Sequence, residues 1–286
     1  MTPSNNSNWE FPVLIPKSPV KKALKNLVGK IAQLIKPEIR NELLNGKIPS
    51  NKIERAILCS IFIELKADNK YEKLAELHRQ IWSSNHTQGY FDLTSGRLQG
   101  MFNLLKEPIY ESITNLLSET DYQELIEIGC GEGMVVKNLS EKFIGIPHFV
   151  GIDINQAQIE INNSTYNTIE NLRFVAGDIT SNINLIKGSN KIFLSFGGVL
   201  EYLTEKELVI LIEELSALQN IAFIIYEPIE LGFNIRKQKH SIIYGSELSF
   251  CHPYHYYFTK FGFRIIREKS IESDGTNFIY LTATNS

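Results

Sequence analysis

Cysteine is scarce in this 286-residue chain. Cys59, Cys130 and Cys251 lie far apart, which leaves neither a disulfide framework nor a CxxC-type zinc site. No apolar run approaches the ~20 residues of a membrane span. The opening MTPSNNSNWEF has no basic stretch leading into an apolar one, so a cytoplasmic rather than secreted protein is expected. Overall basic charge is missing too: 29 Lys and Arg stand against 32 Asp and Glu, a formal net charge of −3. No global basic field points to a nucleic acid partner. What is present is an ordinary core-forming composition, 43% hydrophobic. The length fits about two domains of ~150 residues.

The net charge conceals an uneven distribution. Residues 1–47 hold eight Lys and Arg against three acids, a net of +5, so residues 48–286 carry −8. Val20, Leu24, Leu27, Val28, Ile31, Leu34 and Ile35 recur at helical spacing, with lysines on most of the other face, until Pro37 ends or kinks the helix. The pattern predicts a helix that buries its apolar stripe in the core and solvates its lysines. The alternative for a basic amphipathic helix is an acidic membrane or partner. Residues 51–66 and 70–82 also read as helices, with Ser50 or Asn51 as N-cap. A polar stretch, SSNHTQGYFDLTSG, separates them from a further helical pattern at about 98–118. The expected division is a helical segment over 1–119, serving as a cap, and an α/β domain over 120–286.

After residue 120 short apolar runs alternate with helices: ELIEIGC, HFVGID, LRFVAGD, KIFLSFGG and IAFIIYEP. Such a pattern implies a parallel sheet covered on both faces. Thr204 with Glu207 three residues on has capping-box spacing for the helix at 204–218. FRIIREKSI and NFIYLTAT, joined by a turn at Asp274-Gly275, add an antiparallel pair.

The motif Glu127-Ile128-Gly129-Cys130-Gly131-Glu132-Gly133 follows a strand and opens a helix, where small residues let a ligand approach the backbone and helix amides lie unpaired. Asp153 ends the second strand, able to accept from a ribose diol, and Asp178 ends the third. Ligands of open α/β sheets bind outside these strand ends.

These residues carry a resemblance. EIGCGEG, HFVGIDIN, VAGDI, FGGVLEYL and GFRIIREK, in that order, resemble the motifs of class I S-adenosylmethionine (SAM)-dependent methyltransferases. The likeness implies a Rossmann-like α/β fold with a seven-stranded, mostly parallel sheet ending in an antiparallel hairpin, SAM as cofactor and S-adenosylhomocysteine as product. By that resemblance Gly129, Gly131 and the Cys130 backbone would line the methionine portion, organised by Glu127. Asp153 would hold the ribose, with Ile154 flanking the adenine. Asp178 would accept from the adenine amino group beside the Ile179 amide. Ser195 and Phe196 would face the methionine amine, Arg97 its carboxylate, and Tyr90 would touch the cofactor from a lid segment that includes His86. A nicotinamide-dependent dehydrogenase competes for the loop, but its fingerprint is GxGxxG, whereas Gly129, Gly131 and Gly133 are spaced GxGxG.

Methyl transfer needs alignment, and needs a base only when the nucleophile must lose a proton. Glu227 in YEPIE and the histidines of SFCHPYHYYFTKF, His252 and His255, are the candidate catalytic groups. Strand four ends SFGG, without the Asn/Asp-Pro-Pro-Tyr/Phe of enzymes that methylate base amino groups, and no metal ligand set is expected. The expected activity is O- or N-methylation of a small-molecule acceptor. Two other readings stay open: a SAM-binding regulatory or scaffold protein without turnover, and an RNA methyltransferase docking through the basic N-terminal helix.

Overall fold

The computed structural model describes residues 15–181, 186–273 and 275–286; MTPSNNSNWEF and Asp274 of the proposed turn lie outside them. Two compact units emerge. One runs to Leu93 and takes in Ile242–Phe250; the other comprises Thr94–Ser241 and Cys251–Ser286.

The first unit is built from α1 (Pro19–Ile35), α2 (Pro37–Leu44), α3 (Lys52–Ala67) and α4 (Tyr71–Trp82). Its core gathers Leu43, Ile57, Ile61, Phe62, Leu74 and Leu77, and also Leu248 and Phe250 from the returning segment. That segment forms a two-stranded ribbon, β6 (Ile242–Tyr244) with β7 (Ser249–Cys251), which the sequence pattern does not announce. Asn51 caps α3, its side chain accepting from the Ile53 and Glu54 amides at 3.0 Å. Pro37 separates α1 from α2 and opens the latter, where its missing N–H costs nothing. Arg40 grips Glu64 through two hydrogen bonds, 3.1 and 3.0 Å.

The expected burial of the α1 stripe is reversed. Its leucines and isoleucines face outward, and Gly29 is the buried residue of the helix. A Cβ at Gly29 would come within 2.2 Å of the Ala56 carbonyl oxygen and 2.7 Å of the Ser60 Cβ. The small residue lets α1 lie close on α3, and this side wins over the bulkier apolar one.

In the second unit the predicted strands are β1 (Glu124–Ile128), β2 (His148–Asp153), β3 (Leu172–Ala176), β4 (Lys191–Phe196), β5 (Ile221–Ile229), β8 (Arg264–Ser273) and β9 (Thr276–Thr284). They form one seven-stranded sheet in the order β3-β2-β1-β4-β5-β9-β8. The first five are parallel, and β9 lies antiparallel between β5 and β8. Among the described residues, α6 (Met134–Lys142), α7 (Gln156–Thr165), α8 (Glu205–Ser216) and α9 (Tyr254–Lys260) alternate with these strands or follow them. The capping box of α8 forms as the spacing predicts. The long helix α5 (Gln88–Glu119) absorbs the end of the stretch read as a polar separator and continues through Pro108. Its buried residues Met101, Phe102, Leu105, Ile109 and Ile113 join the sheet core, so tertiary burial overrides the weak local signal.

Candidate active site

The sheet order reverses between β1 and β4, and at such a point two loops diverge and leave a crevice. The loop after β1 is fastened on three sides. Gly129 N and Cys130 N both donate to the Ile152 carbonyl, at 2.7 and 3.0 Å. The Gly131 amide donates to Asp153 Oδ2 at 2.9 Å, while the Gly131 carbonyl accepts from Asn162 Nδ2 at 2.7 Å. Glu127, buried in β1, accepts from the Val136 amide in the first turn of α6 at 2.9 Å. Burial pushes its carboxyl up to about 8. Gly129 has φ +69°, and a Cβ there would sit 2.5 Å from both Val199 methyls, so neither the backbone nor the space admits a side chain. Burial drives the Cys130 thiol far above its ordinary value, which makes it a packing group rather than a nucleophile.

Asp153 stands half-buried at the end of β2. One carboxylate oxygen accepts from Gly131 N and the other from Asn155 N, both at 2.9 Å. Each oxygen keeps acceptor capacity, as a ribose diol would require. Ile154 follows, half-buried. Asp178 folds back on its own turn, Oδ1 accepting from the Thr180 amide (2.9 Å) and hydroxyl (2.7 Å), and Ile179 beside it is buried. The structure therefore brings Glu127, Gly129, Cys130, Gly131, Asp153, Ile154, Asp178 and Ile179 to adjoining strand ends. A half-buried acid above a glycine-lined loop fits the ribose and methionine parts of SAM.

Across the crevice, Ser195 Oγ donates to Glu227 Oε1 at 2.5 Å. The same carboxylate accepts from the Val199 amide and from the backbone at Leu200 and Glu201. Glu227 thus holds the first turn of the short 3₁₀ helix Leu200–Tyr202. Burial pushes it up to about 7. Phe196 stacks on Tyr226 at 5.2 Å and meets Phe102 edge-on at 6.0 Å. Leu98 of α5 lies 3.6 Å from where a Cβ on Gly197 would be, and Arg97 next to it is exposed.

The histidines do different work. His252 is wholly buried, and burial lowers it to about 4, so it is neutral. Its Nε2 donates to the Leu200 carbonyl (3.0 Å), leaving Nδ1 to accept from Ser241 Oγ (2.7 Å). His255 is held by Glu268 on β8 at 2.6 Å, a carboxylate that also accepts from Arg236 Nε. Tyr90 belongs to the first unit, where it packs edge-on against Trp82 at 5.0 Å; His86 lies in the short 3₁₀ helix Asn85–Thr87 of that unit. Sequence reasoning passed over Glu201. It is half-buried, and its Oε1 lies 2.6 Å from the Cβ position of Gly198. An acid three residues beyond Gly198 in FGGVLEYL is the available signal.

Residues 125–220 match a family model described as a methyltransferase domain. No curated protein matches the sequence. Among solved structures, the chain resembles magnesium protoporphyrin IX methyltransferase from Synechocystis PCC 6803 with bound SAM, at 15% identity and a TM-score of 0.52, over 74% of this chain and 97% of that one. The same enzyme with bound S-adenosylhomocysteine aligns at 15% identity and a TM-score of 0.51, over 74% and 100%.

Proposed function

We propose that this chain, a class I SAM-dependent methyltransferase, passes its methyl group to an oxygen or nitrogen of a small organic acceptor. The observation that carries the reading is the make-up of the rim beside the β1–β4 crevice. There Gly129 abuts Val199 and Gly197 abuts Leu98, so small and apolar groups border the approach. The second unit also holds 22 acidic against 15 basic residues, a field that repels a polyanion. The likeness in fold to an enzyme named for magnesium protoporphyrin IX agrees with an acceptor of modest size.

When bound, SAM supplies an electrophilic methyl carbon on a sulfonium, so the protein's part is alignment and exclusion of water. Asp153 holds the ribose, Asp178 and Ile179 border the adenine with Ile154, and Gly129 to Gly131 line the methionine portion, with Arg97 for its carboxylate. Ser195 and Phe196 face this portion from β4. Glu227 and His252 position the 3₁₀ turn after β4 rather than reach solvent: Glu227 takes its amides and His252 the Leu200 carbonyl. Glu201, on that turn, is the acid that accepts a hydrogen bond from an acceptor hydroxyl or amine.

The test is label transfer from methyl-labelled SAM to panels of small hydroxyl, carboxyl and amine compounds, with RNA as comparator. Labelling within a small-molecule panel is expected. Labelling of RNA alone overturns the acceptor class, and tight SAM binding with no transfer to any panel points to the regulatory alternative.

A further inference from the structure

Among the described residues nothing covers the apolar stripe of α1. At 100° per residue, Val20, Leu24, Leu27, Ile31, Leu34 and Ile35 share one arc of roughly 100° on the helix surface. All six are exposed, from 49% at Ile31 to 84% at Leu34. The opposite side, at Gly29, is the one that docks on α3. A soluble helix normally turns its stripe inward, so a long apolar strip turned outward marks an interaction surface.

Charge selects the occupant. Lys30 borders one edge of the arc and Lys21 the other, and Lys17 precedes the helix, while Lys22, Lys25 and Lys36 lie on the opposite side with Gly29. No acid lies between residues 11 and 37. Two copies meeting stripe to stripe would press these lysine borders together. Residues 1–14 hold one acid, Glu10, too little to neutralise Lys17, Lys21 and Lys30. A surface that accepts apolar side chains and offers dense negative charge around them matches both features.

We propose that α1 lies in the plane of an anionic membrane surface, with the leucine and isoleucine stripe sunk to the acyl boundary and the flanking Lys21 and Lys30 at the headgroup phosphates. The helix is an interfacial anchor and not a span: among the described residues no helix is long and apolar enough to cross a membrane.

The test is cosedimentation of the full chain with large unilamellar vesicles, one set of phosphatidylcholine with about a third phosphatidylserine and one of phosphatidylcholine alone. Binding to the anionic set, weakened by salt, is expected. The pair Leu27→Glu and Ile31→Glu should abolish it. The pair Lys21→Gln and Lys30→Gln should lower it about 30-fold, at about 1 kcal/mol for each lysine near the surface. All these side chains are exposed or at the helix surface, so the variants should keep the circular dichroism and melting temperature of the parent. A full chain that ignores anionic vesicles overturns the proposal. That holds whether the stripe is found to seal a dimer that the Glu pair dissolves or to be covered by residues 1–14. Undiminished vesicle binding by the Glu pair overturns it equally.

Discussion

Ser195 and Glu227 meet at 2.5 Å across the ends of β4 and β5, and the bond they share fixes the turn that borders the crevice. Removing the hydroxyl leaves a buried carboxylate short of a donor. Ser195→Ala should therefore cost about 1–3 kcal/mol in urea unfolding. Turnover number should fall more than SAM affinity, because the loss loosens the turn. A variant with parental stability would show that the bond contributes nothing.

Asp153 holds its own loop as well as facing the ligand side of the sheet. Asp153→Ala removes the acceptor for Gly131 N and for Asn155 N at once. SAM affinity measured by calorimetry should fall by about 1.5–3 kcal/mol for each charged hydrogen bond lost, before relaxation. Unchanged affinity would sink the ribose assignment.

Gly129→Ala combines a positive φ with a methyl forced against Val199. Loss of SAM binding and a lowered melting temperature are expected. Adding Val199→Ala opens the space but leaves the backbone strain of roughly 1–2 kcal/mol, so rescue should be partial. Full rescue would mean that crowding alone matters there.

The pH dependence of stability follows from four buried groups. Glu127 and Glu227 keep their protons to about 8 and about 7 when folded, against 4.5 ordinarily, so each lowers stability as pH rises through that interval. His78 and His252 stay neutral down to about 4, against 6.5 ordinarily, so each raises stability between those values. The effects oppose one another up to pH 6.5, and above it only the acids act. Stability of the ligand-free protein should fall between pH 6.5 and 8, by about 1 kcal/mol per pH unit for each acid still protonated. Glu127→Gln should flatten that slope, and a denaturation series rising over the same interval would contradict the account.

The glycine turn after β1 was legible because EIGCGEG sits between an apolar strand and a helix, where small residues mark a tight turn. Strand ends followed for the same reason: period and punctuation are local. The orientation of α1 was not legible. Periodicity separates two faces but does not say which one is buried, and the decision fell to one glycine and its neighbours on α3. The β6–β7 ribbon was missed because its strands are three residues each, too short for a pattern. The surroundings of the histidines were not legible. A sequence gives their reactivity, whereas their partners, Leu200 and Ser241 for His252 and Glu268 for His255, come from elements far along the chain.

Because Ile242–Phe250 folds with the helices of residues 15–93, the helical unit is discontinuous in sequence. Leu248 and Phe250 are buried in its core, and the buried ring of His78 donates toward the backbone carbonyls at Leu248 and Glu247. Deleting the first ninety residues would strip the cover from two large apolar side chains in the middle of the remaining polypeptide. The helices would in turn lose a strand of their core. Neither half can be shed, exchanged or acquired by cutting the gene at one place, so the two must be inherited together.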